Sequence, residues 1–192
     1  MRMRIISGEF KGRLINVPKS DLIRPTTDRV RETLFNLLNN ELDFNGINVL
    51  DIYAGSGSLG LECLSRGANS VDFIEKNFVI YKNLNENIIS LNVEERCRIY
   101  KMEALKFSHK QIEHQYDLIL ADPPFFKYDI YEVVKNLLKN NFLTENGKII
   151  IERSKQTKEK DIEVFSKEPF KIIGDTCLYQ LGNVSIPVGN SI

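Results

Sequence analysis

The segment Asn48-Val-Leu-Asp-Ile-Tyr-Ala-Gly-Ser-Gly-Ser-Leu-Gly60 decides the fold of this chain. Apolar residues flank Asp51, and Gly55, Gly57 and Gly60 follow at G-x-G-x-x-G spacing, directly before a helix-like run. Glycines at this spacing let the backbone turn sharply after a strand and expose amide N–H groups at the start of a helix. The segment therefore predicts a strand, a glycine loop that contacts a ligand, and a helix.

Asp51 discriminates between the ligands that such a loop can hold. The same glycine spacing occurs in dinucleotide-binding loops, but a carboxylate on the preceding strand would repel a pyrophosphate. That carboxylate suits a positively charged ligand, and S-adenosylmethionine carries two positive charges, on its ammonium and its sulfonium. Ala54, Gly55 and Gly57 complete the predicted cofactor loop. A structural turn, in which Asp51 only caps nearby backbone, stays open as the alternative.

Short apolar segments alternate with helix-like segments through the rest of the chain. Nearly continuous apolar strands between helices indicate a parallel sheet that is covered on both faces. Two last segments, 170–173 and 176–181, predict a closing hairpin. We therefore expect an α/β fold with a seven-stranded, mainly parallel sheet. The other predicted strands are 70–75, 96–100, 116–121 and 148–152, and the helices include 78–90 and 130–139.

Residues 1–40 predict a small basic extension, a β-hairpin followed by a helix that begins near Asp28. Residues 1–31 contain eight Lys or Arg and three Asp or Glu, although the net charge of the chain is zero. Such an arm suits docking on a polyanion. Arg29 and Arg31 suit contact with an anion, because the helix dipole disfavours cations in the first turn. Ordinary solvated side chains remain the alternative for the arm and for both arginines.

The rest of the sequence indicates the domain bounds, the redox state of the cysteines and the cellular location to expect. We expect a catalytic domain over 41–182 and a loose tail over 183–192. Three cysteines lie far apart, which predicts reduced thiols and no metal site. The chain contains neither a signal-peptide pattern nor an apolar run of about 18 residues. These features predict a cytoplasmic protein without a membrane partner, and we expect a monomer.

Acidic residues follow several of the predicted strands. The carboxyl ends of parallel strands meet at one edge of a sheet, where such folds bind ligands. Glu75 lies 24 residues after Asp51, close to the offset at which an acid accepts hydrogen bonds from ribose hydroxyls. Glu103 follows the third strand of the alternating pattern, and either accepts from an adenine amine or simply precedes a helix. Asp122 ends the fourth strand of the pattern, so the sequence predicts a row of cofactor-binding carboxylates, Asp51, Glu75, Glu103 and Asp122.

The turn Asp122-Pro123-Pro124-Phe125 supplies the predicted chemistry. Because proline has no N–H, the Asp122 carboxylate and the Pro123 carbonyl are both free to accept hydrogen bonds from one exocyclic amine. Phe125 is expected to stack on the base, a contact worth about 1 to 3 kcal/mol. The target base must be unpaired or flipped out. A proline-rich turn whose aromatic ring fills the core is the structural alternative.

Four stretches of the chain resemble the RsmD-type bacterial methyltransferases, which modify the exocyclic N2 amine of one guanine in small-subunit ribosomal RNA. The resemblance runs from about residue 4 to about residue 181 and implies a Rossmann-like fold dependent on S-adenosylmethionine. The stretches are Arg4-Ile-Ile-Ser-Gly8 with Gly12-Arg13, Arg24-Pro-Thr-Thr-Asp-Arg-Val-Arg-Glu-Thr-Leu-Phe-Asn36, Leu50 to Glu62, and Asp122 to Phe125.

The resemblance also implies roles for single residues. Thr27 and Arg29 are implied to lie near the methionine end of the cofactor, whose product is S-adenosylhomocysteine. The substrate is implied to be RNA in an assembled or partly assembled small subunit, gripped by the basic extension. Glu103 departs from the pattern, since many relatives of this fold carry Asp there. The residues expected to contact RNA are Arg4, Lys11, Arg13 and Arg24.

Two rival functions stay open from sequence alone. Asp-Pro-Pro-Phe selects an amine and not a base, so a DNA adenine or cytosine amino-methyltransferase is the nearer rival. The absence of a sizeable target-recognition insertion within 192 residues speaks against it. The more distant rival is a non-enzymatic RNA-binding module that has kept the fold.

Overall fold

The computed structural model describes residues 1–18, 28–124 and 128–182, and all structural statements below concern those residues. They form a two-stranded hairpin, a seven-stranded sheet and six α-helices. In chain order the elements are β1 Arg2–Arg4, β2 Leu14–Asn16, α1 Asp28–Asn39, β3 Asn48–Asp51, α2 Ser58–Ser65, β4 Ser70–Ile74, α3 Phe78–Leu91, β5 Cys97–Tyr100, α4 Ala104–Ser108, β6 Tyr116–Ala121, α5 Asp129–Lys139, β7 Leu143–Ser154, α6 Lys158–Phe165, β8 Lys171–Ile173 and β9 Thr176–Gly182.

The large sheet has the strand order β5-β4-β3-β6-β7-β9-β8. Strands β3 to β7 run parallel, while β9 is antiparallel to both β7 and β8. The chain first moves outward from β3 through β4 and β5, then returns to pair β6 on the other side of β3. Such a reversal opens a crevice at the carboxyl ends of the strands. We call that side of the sheet the carboxyl edge and the opposite side the amino edge.

Successive residues of each central strand enter different hydrophobic clusters, so both faces of the sheet are covered. Val49 packs with α1, α2 and α3, whereas its neighbour Leu50 packs with α4, α5 and α6. Leu118 and Ile119 of β6 alternate in the same way. The predicted α/β fold with a seven-stranded, mainly parallel sheet is confirmed.

The N-terminal hairpin packs on the C-terminal end of α2. The fully buried Glu62 carboxylate accepts hydrogen bonds from the amides of Ile6 and Ser7, at 2.7 and 3.0 Å. The amide of Glu9 donates to the Ser65 carbonyl at 2.7 Å. Because α2 runs from the carboxyl edge to the amino edge, the turn of the hairpin lies at the amino edge.

Several boundaries differ from the sequence prediction for local reasons. The predicted hairpin has short strands: the first, Arg2–Arg4, ends before Ile6 and Ser7, because the amides of those two residues donate to Glu62 instead of a neighbouring strand. Strand β7 begins at Leu143, well before 148, with a register irregularity against β6. Helix α6 was not predicted, since it is short, charged, and buries little more than Asp161 and Phe165. The predicted tail, 183–192, lies outside the described residues.

Candidate active site

Three carboxylates end or follow strands at the carboxyl edge. Asp51 is the last residue of β3, Glu75 follows β4 and Asp122 follows β6. The charges of Glu75 and Asp122 both contribute to raising the pKa of Asp51, which indicates that the two carboxylates lie near it. Strands β4 and β6 flank β3 in the sheet, which brings the three acids around one crevice.

Asp51 is 1% exposed, and one carboxylate oxygen accepts a hydrogen bond from the Gly60 amide at 3.0 Å. Burial raises the pKa of Asp51 to about 7; the Gly60 hydrogen bond opposes the rise, and the charges of Asp122 and Glu75 add to it. The structural alternative for Asp51, a local cap of α2, is therefore present in the molecule. This cap uses one carboxylate oxygen of Asp51. A cationic ligand would offset the free-energy cost of burying the charged carboxylate.

The two loop glycines are required for different reasons. Both have positive φ, 55° at Gly55 and 82° at Gly57. A Cβ at Gly57 would lie 2.4 Å from the Leu84 side chain, so this glycine lets the loop pack on α3. A Cβ at Gly55 would meet only the Tyr53 carbonyl, at 4.0 Å. Gly55 therefore borders open space, as expected where a ligand contacts the main chain, while Ala54 donates its amide to the Ile74 carbonyl of β4.

Glu75 fastens the glycine loop to the start of α3. One carboxylate oxygen accepts from the Gly55 amide at 3.1 Å and the other from the Asn77 amide at 2.7 Å. Burial raises the pKa of Glu75, and the amides of Asn77 and Gly55 oppose the rise. The side chain is half-buried, and each carboxylate oxygen has further lone-pair capacity for hydroxyl donors.

The turn after β6 is described up to Pro124. Asp122 is half-buried, Pro123 is buried and Pro124 is exposed. The Asp122 carboxylate shares the crevice with Asp51, so an amine held by this turn would lie beside the glycine loop. Phe125, predicted to stack on the base, lies outside the described residues.

Among the other predicted cofactor residues that the structure describes, neither Glu103 nor Arg29 makes an observed contact with the three acids or the glycine loop. The Glu103 side chain is about half exposed, and its carboxylate lies 4.0 Å from the Lys106 ammonium. Glu103 directly precedes α4 without capping it by a side-chain hydrogen bond. Arg29 is exposed on the first turn of α1. Thr27 and Arg24 lie outside the described residues, and the roles expected of all four stay predictions.

The environment of Arg31 rules out one alternative from the sequence analysis, a solvated side chain. Its side chain is fully buried, so it is not solvated. The guanidinium donates to the Asp28 carboxylate at 2.7 Å and to the Arg4 carbonyl at 2.9 Å. The anion that it contacts therefore belongs to its own helix, and its role is to fix α1 against the hairpin.

The predicted RNA-contacting residues of the hairpin lie mostly toward the amino edge. Arg13 donates to the Ser90 carbonyl near the end of α3, and Arg4 donates to the Gly12 carbonyl at 3.4 Å. Lys11 is exposed in the turn of the hairpin. The five residues of β4 separate the two edges by about 16 Å at the usual rise per residue. RNA bound at Lys11 and in the crevice would have to span at least that distance.

Asn87 is a buried residue that sequence reasoning missed. Its side chain exchanges two hydrogen bonds of 2.8 Å with the backbone of Asn16 in β2, and donates to the Ser56 carbonyl of the glycine loop at 3.0 Å. One side chain thus joins the hairpin, α3 and the loop. The signal in the sequence is a polar residue on the apolar face of α3, between Leu84 and Leu91.

Two features missing from the described ranges concern metal binding and membrane insertion. In those ranges, no group of three or more His, Cys, Asp or Glu is placed to hold a metal ion. None of the helices there has both the length and the apolar character needed to cross a bilayer.

The strand order, with a parallel core and an antiparallel hairpin at one side, and the acids around a glycine loop define a Rossmann-like methyltransferase. A family model described as Conserved hypothetical protein 95 matches residues 3–181. The chain belongs to this family, which is the RsmD family, and the resemblance drawn from its sequence is confirmed.

Individual relatives agree with this assignment. Relatives named Ribosomal RNA small subunit methyltransferase D include one from Haemophilus influenzae and one from Escherichia coli. The one from Haemophilus influenzae is 37% identical over 80% of this chain and 79% of its own length. The one from Escherichia coli is 38% identical over 79% of this chain and 74% of its own. The solved structure "Putative methyltransferase yhhF from Escherichia coli" has a TM-score of 0.78 and 31% identity, covering 94% of this chain and 98% of its own.

Proposed function

We propose that this methyltransferase transfers a methyl group from S-adenosylmethionine to the exocyclic N2 amine of a guanine in small-subunit ribosomal RNA. The observation that carries the proposal is the convergence of Asp51, Glu75 and Asp122 beside the glycine loop. The names of the relatives from Haemophilus influenzae and Escherichia coli support ribosomal RNA as the substrate class.

The described residues fit this cofactor. Asp51 is buried with a pKa of about 7, and a ligand ammonium beside it would stabilise its charged form. Glu75, one strand away, is proposed to accept hydrogen bonds from ribose hydroxyls. Gly55 leaves open space for a ligand against the main chain. Thr27, Arg29 and Glu103 complete the proposed cofactor set on the strength of the family resemblance.

The turn after β6 is proposed to hold the substrate amine. When bound, the cofactor supplies a methyl group made electrophilic by the sulfonium. The Asp122 carboxylate and the Pro123 carbonyl accept the two amine N–H groups, which turns the nitrogen lone pair out of conjugation and toward that methyl. In that arrangement the amine nitrogen would bond to the methyl carbon as the S–C bond breaks, S-adenosylhomocysteine would leave, and the resulting ammonium would lose its proton to solvent. Phe125 is proposed to stack on the target base.

The direct test is transfer of radiolabelled methyl from S-adenosylmethionine to small ribosomal subunits that lack the modification. Protein-free ribosomal RNA and duplex DNA serve as parallel substrates, and the labelled product is digested to nucleosides. We expect label in N2-methylguanosine from the subunits. Label in duplex DNA, or in a nucleoside other than N2-methylguanosine, would overturn the proposal.

A variant separates an enzyme from a binding module. Asp122→Ala should lower kcat by about 100-fold or more, because the amine loses an acceptor in the transition state. The Kd for S-adenosylhomocysteine, measured by calorimetry, should change little. Asp175→Asn, an exposed acid in the β8–β9 turn, is the matched control. Unchanged methyl transfer by Asp122→Ala would show that this acid is not catalytic.

A further inference from the structure

The first turn of α3 presents apolar side chains to solvent at the carboxyl edge. Phe78 is 52% exposed and Val79 is 66% exposed, although both begin a helix whose other face is buried. They follow Glu75 by three and four residues, so they border the proposed ribose end of the crevice. Exposed aromatic side chains next to a binding site commonly form part of a contact surface.

Two lysine ammonium groups lie close to the Phe78 ring. The Lys82 nitrogen is 4.5 Å from the ring centroid and the Lys101 nitrogen is 5.1 Å from it. Lys82 lies one turn further along α3, and Lys101 directly follows β5. The electron-rich ring attracts both cations and holds them together despite their mutual repulsion. Lys76 adds a third positive charge, near enough to Glu75 to oppose the rise in its pKa.

Among the described residues, Lys76, Lys82 and Lys101 have no carboxylate partner, unlike three other lysines, Lys106, Lys148 and Lys158. Lys106 pairs with Glu103, and Lys148 pairs with Glu41 at 2.7 Å. Within the described part of the chain, no ion pair of 4.0 Å or less joins Lys76, Lys82 or Lys101 to an acid. Lys82 and Lys101, two cations beside one exposed ring without an ion-pair partner, complement an extended anion, which an RNA backbone supplies.

The lysines around Phe78 lie on the same edge of the sheet as the crevice, whereas the basic residues of the hairpin do not. Lys11 and Arg13 lie toward the amino edge, away from the crevice. A nucleotide held at Asp122 needs phosphate contacts close to it, because such contacts fix the register of a nucleic acid. Phe78 follows β4 and Lys101 follows β5, two and three strands from β6. At the usual strand spacing the lysines around Phe78 therefore lie about 10 to 14 Å from the Asp122 turn along the same edge, within reach of a phosphate adjoining the target nucleotide.

We propose that Lys76, Phe78, Lys82 and Lys101, the Phe78 cluster, bind the phosphodiester backbone of the substrate RNA next to the target nucleotide. This inference rests on the proposed function, since it names a second RNA contact of the same site. Phe78 acts by holding Lys82 and Lys101 beside one ring, and the lysines supply the charge.

The test compares two double variants with the same change in charge. Lys82→Gln with Lys101→Gln removes the cluster cations, and Lys135→Gln with Lys139→Gln removes two exposed cations from α5, the second of them at the amino edge. Phe78→Leu keeps an apolar side chain and removes the ring face. Methyl transfer to unmodified small ribosomal subunits gives kcat and KM over a range of salt concentrations, and calorimetry gives the Kd for S-adenosylhomocysteine.

We expect the cluster double variant to raise KM for the subunits about tenfold near 0.1 M salt, and to reduce the slope of log KM against log salt by about 1.5. Phe78→Leu should raise KM about threefold, and the control should match the wild type. Equal KM values and slopes for both double variants, with an active wild type, would overturn the inference and leave the proposed function intact. A weaker Kd for S-adenosylhomocysteine with unchanged KM for subunits would assign the cluster to the cofactor and also overturn it. An inactive wild type would remove the proposed function itself.

Discussion

Two buried carboxylates lie at opposite ends of helix α2, Glu62 in its last turn and Asp51 on the preceding strand, and their surroundings differ. At the C-terminal end, Glu62 accepts from two amides of the hairpin and from the Arg66 guanidinium at 2.8 Å. Ahead of the N-terminal end, Asp51 accepts one hydrogen bond, from Gly60, and faces the like charges of Asp122 and Glu75. A buried acid with a full set of donors holds a structure together, whereas a buried acid short of donors is ready for a cationic ligand.

Breaking the satisfied acid should have the largest effect. Glu62→Ala leaves two amides and the Arg66 guanidinium buried without their acceptor, so we expect the free energy of unfolding to fall by about 3 to 5 kcal/mol. Urea denaturation measures this loss. Glu145→Ala, at an exposed position, is the control and should stay within about 0.5 kcal/mol of the wild type. A loss for Glu62→Ala as small as the control's would refute a structural role.

Removing the unsatisfied acid should weaken ligand binding rather than the fold. Asp51→Asn keeps an acceptor for the Gly60 amide but loses the charge that faces the ligand ammonium. We expect the Kd for S-adenosylhomocysteine to rise by about 10- to 100-fold, corresponding to a charge-assisted hydrogen bond of about 1.5 to 3 kcal/mol. Calorimetry above pH 7 measures it. A variant that binds as tightly as the wild type would reduce Asp51 to a cap.

The pH dependence of the same residue sharpens the contrast. Because burial raises the pKa of Asp51 from 3.8 to about 7, the folded state holds its proton more tightly than the unfolded state. The stability contributed by this proton is present below pH 4 and is lost as pH rises toward 7. Asp51→Asn should therefore gain stability relative to wild type across that interval in urea denaturation, with a constant difference above pH 7. A difference that does not vary with pH would contradict the raised pKa.

Asn87 combines features of Glu62 and Asp51: its side chain makes three hydrogen bonds, and one of them is to the glycine loop. Asn87→Leu leaves buried groups of Asn16 and Ser56 unpaired, and we expect a loss of about 1 to 3 kcal/mol in the free energy of unfolding. The Kd for S-adenosylhomocysteine should rise severalfold, because the loop loses a support. Asn83→Leu, half-buried and one turn earlier on α3, is a comparison variant, and equal effects on Kd would remove the special role of Asn87.

Charges in the hairpin turn should give the smallest effect. Lys11 is exposed and lies toward the amino edge, so Lys11→Gln should leave stability within about 0.5 kcal/mol of the wild type. If the turn grips RNA, KM for small ribosomal subunits should rise about two- to threefold and more steeply at low salt. An unchanged KM at every salt concentration would exclude Lys11 from the RNA contact.

Elements with strong local signals were predictable from the sequence. Strand β6 has the predicted bounds because six residues of nearly continuous apolar sequence precede the Asp-Pro-Pro turn. Helix α3 begins where predicted because Asn77 caps it through the amides of Val79 and Ile80. The glycine loop and the strand-end acids could likewise be listed in advance, since the parallel topology brings strand ends together.

Long-range pairings could not be predicted. Asn87 bonds Asn16 across 71 residues, and Glu62 bonds Ile6 across 56. The periodicity of the sequence does not show which buried polar groups bond to each other. The burial of Arg31 and the different numbers of hydrogen bonds accepted by Asp51 and Glu62 are therefore visible only in the structure. The exposure of Phe78 was hidden for the same reason, because its place in a helix does not give its environment.

The bonds made by Glu62 and Asn87 also bear on how the family can diversify. Residues 6, 7 and 16 supply the backbone partners that these two side chains require inside the protein. The N-terminal hairpin is therefore not a portable module. Because these partners are backbone groups, a chimaera that takes its first 18 residues from another protein would leave Glu62 and Asn87 buried without partners unless the new segment reproduces the backbone positions of residues 6, 7 and 16.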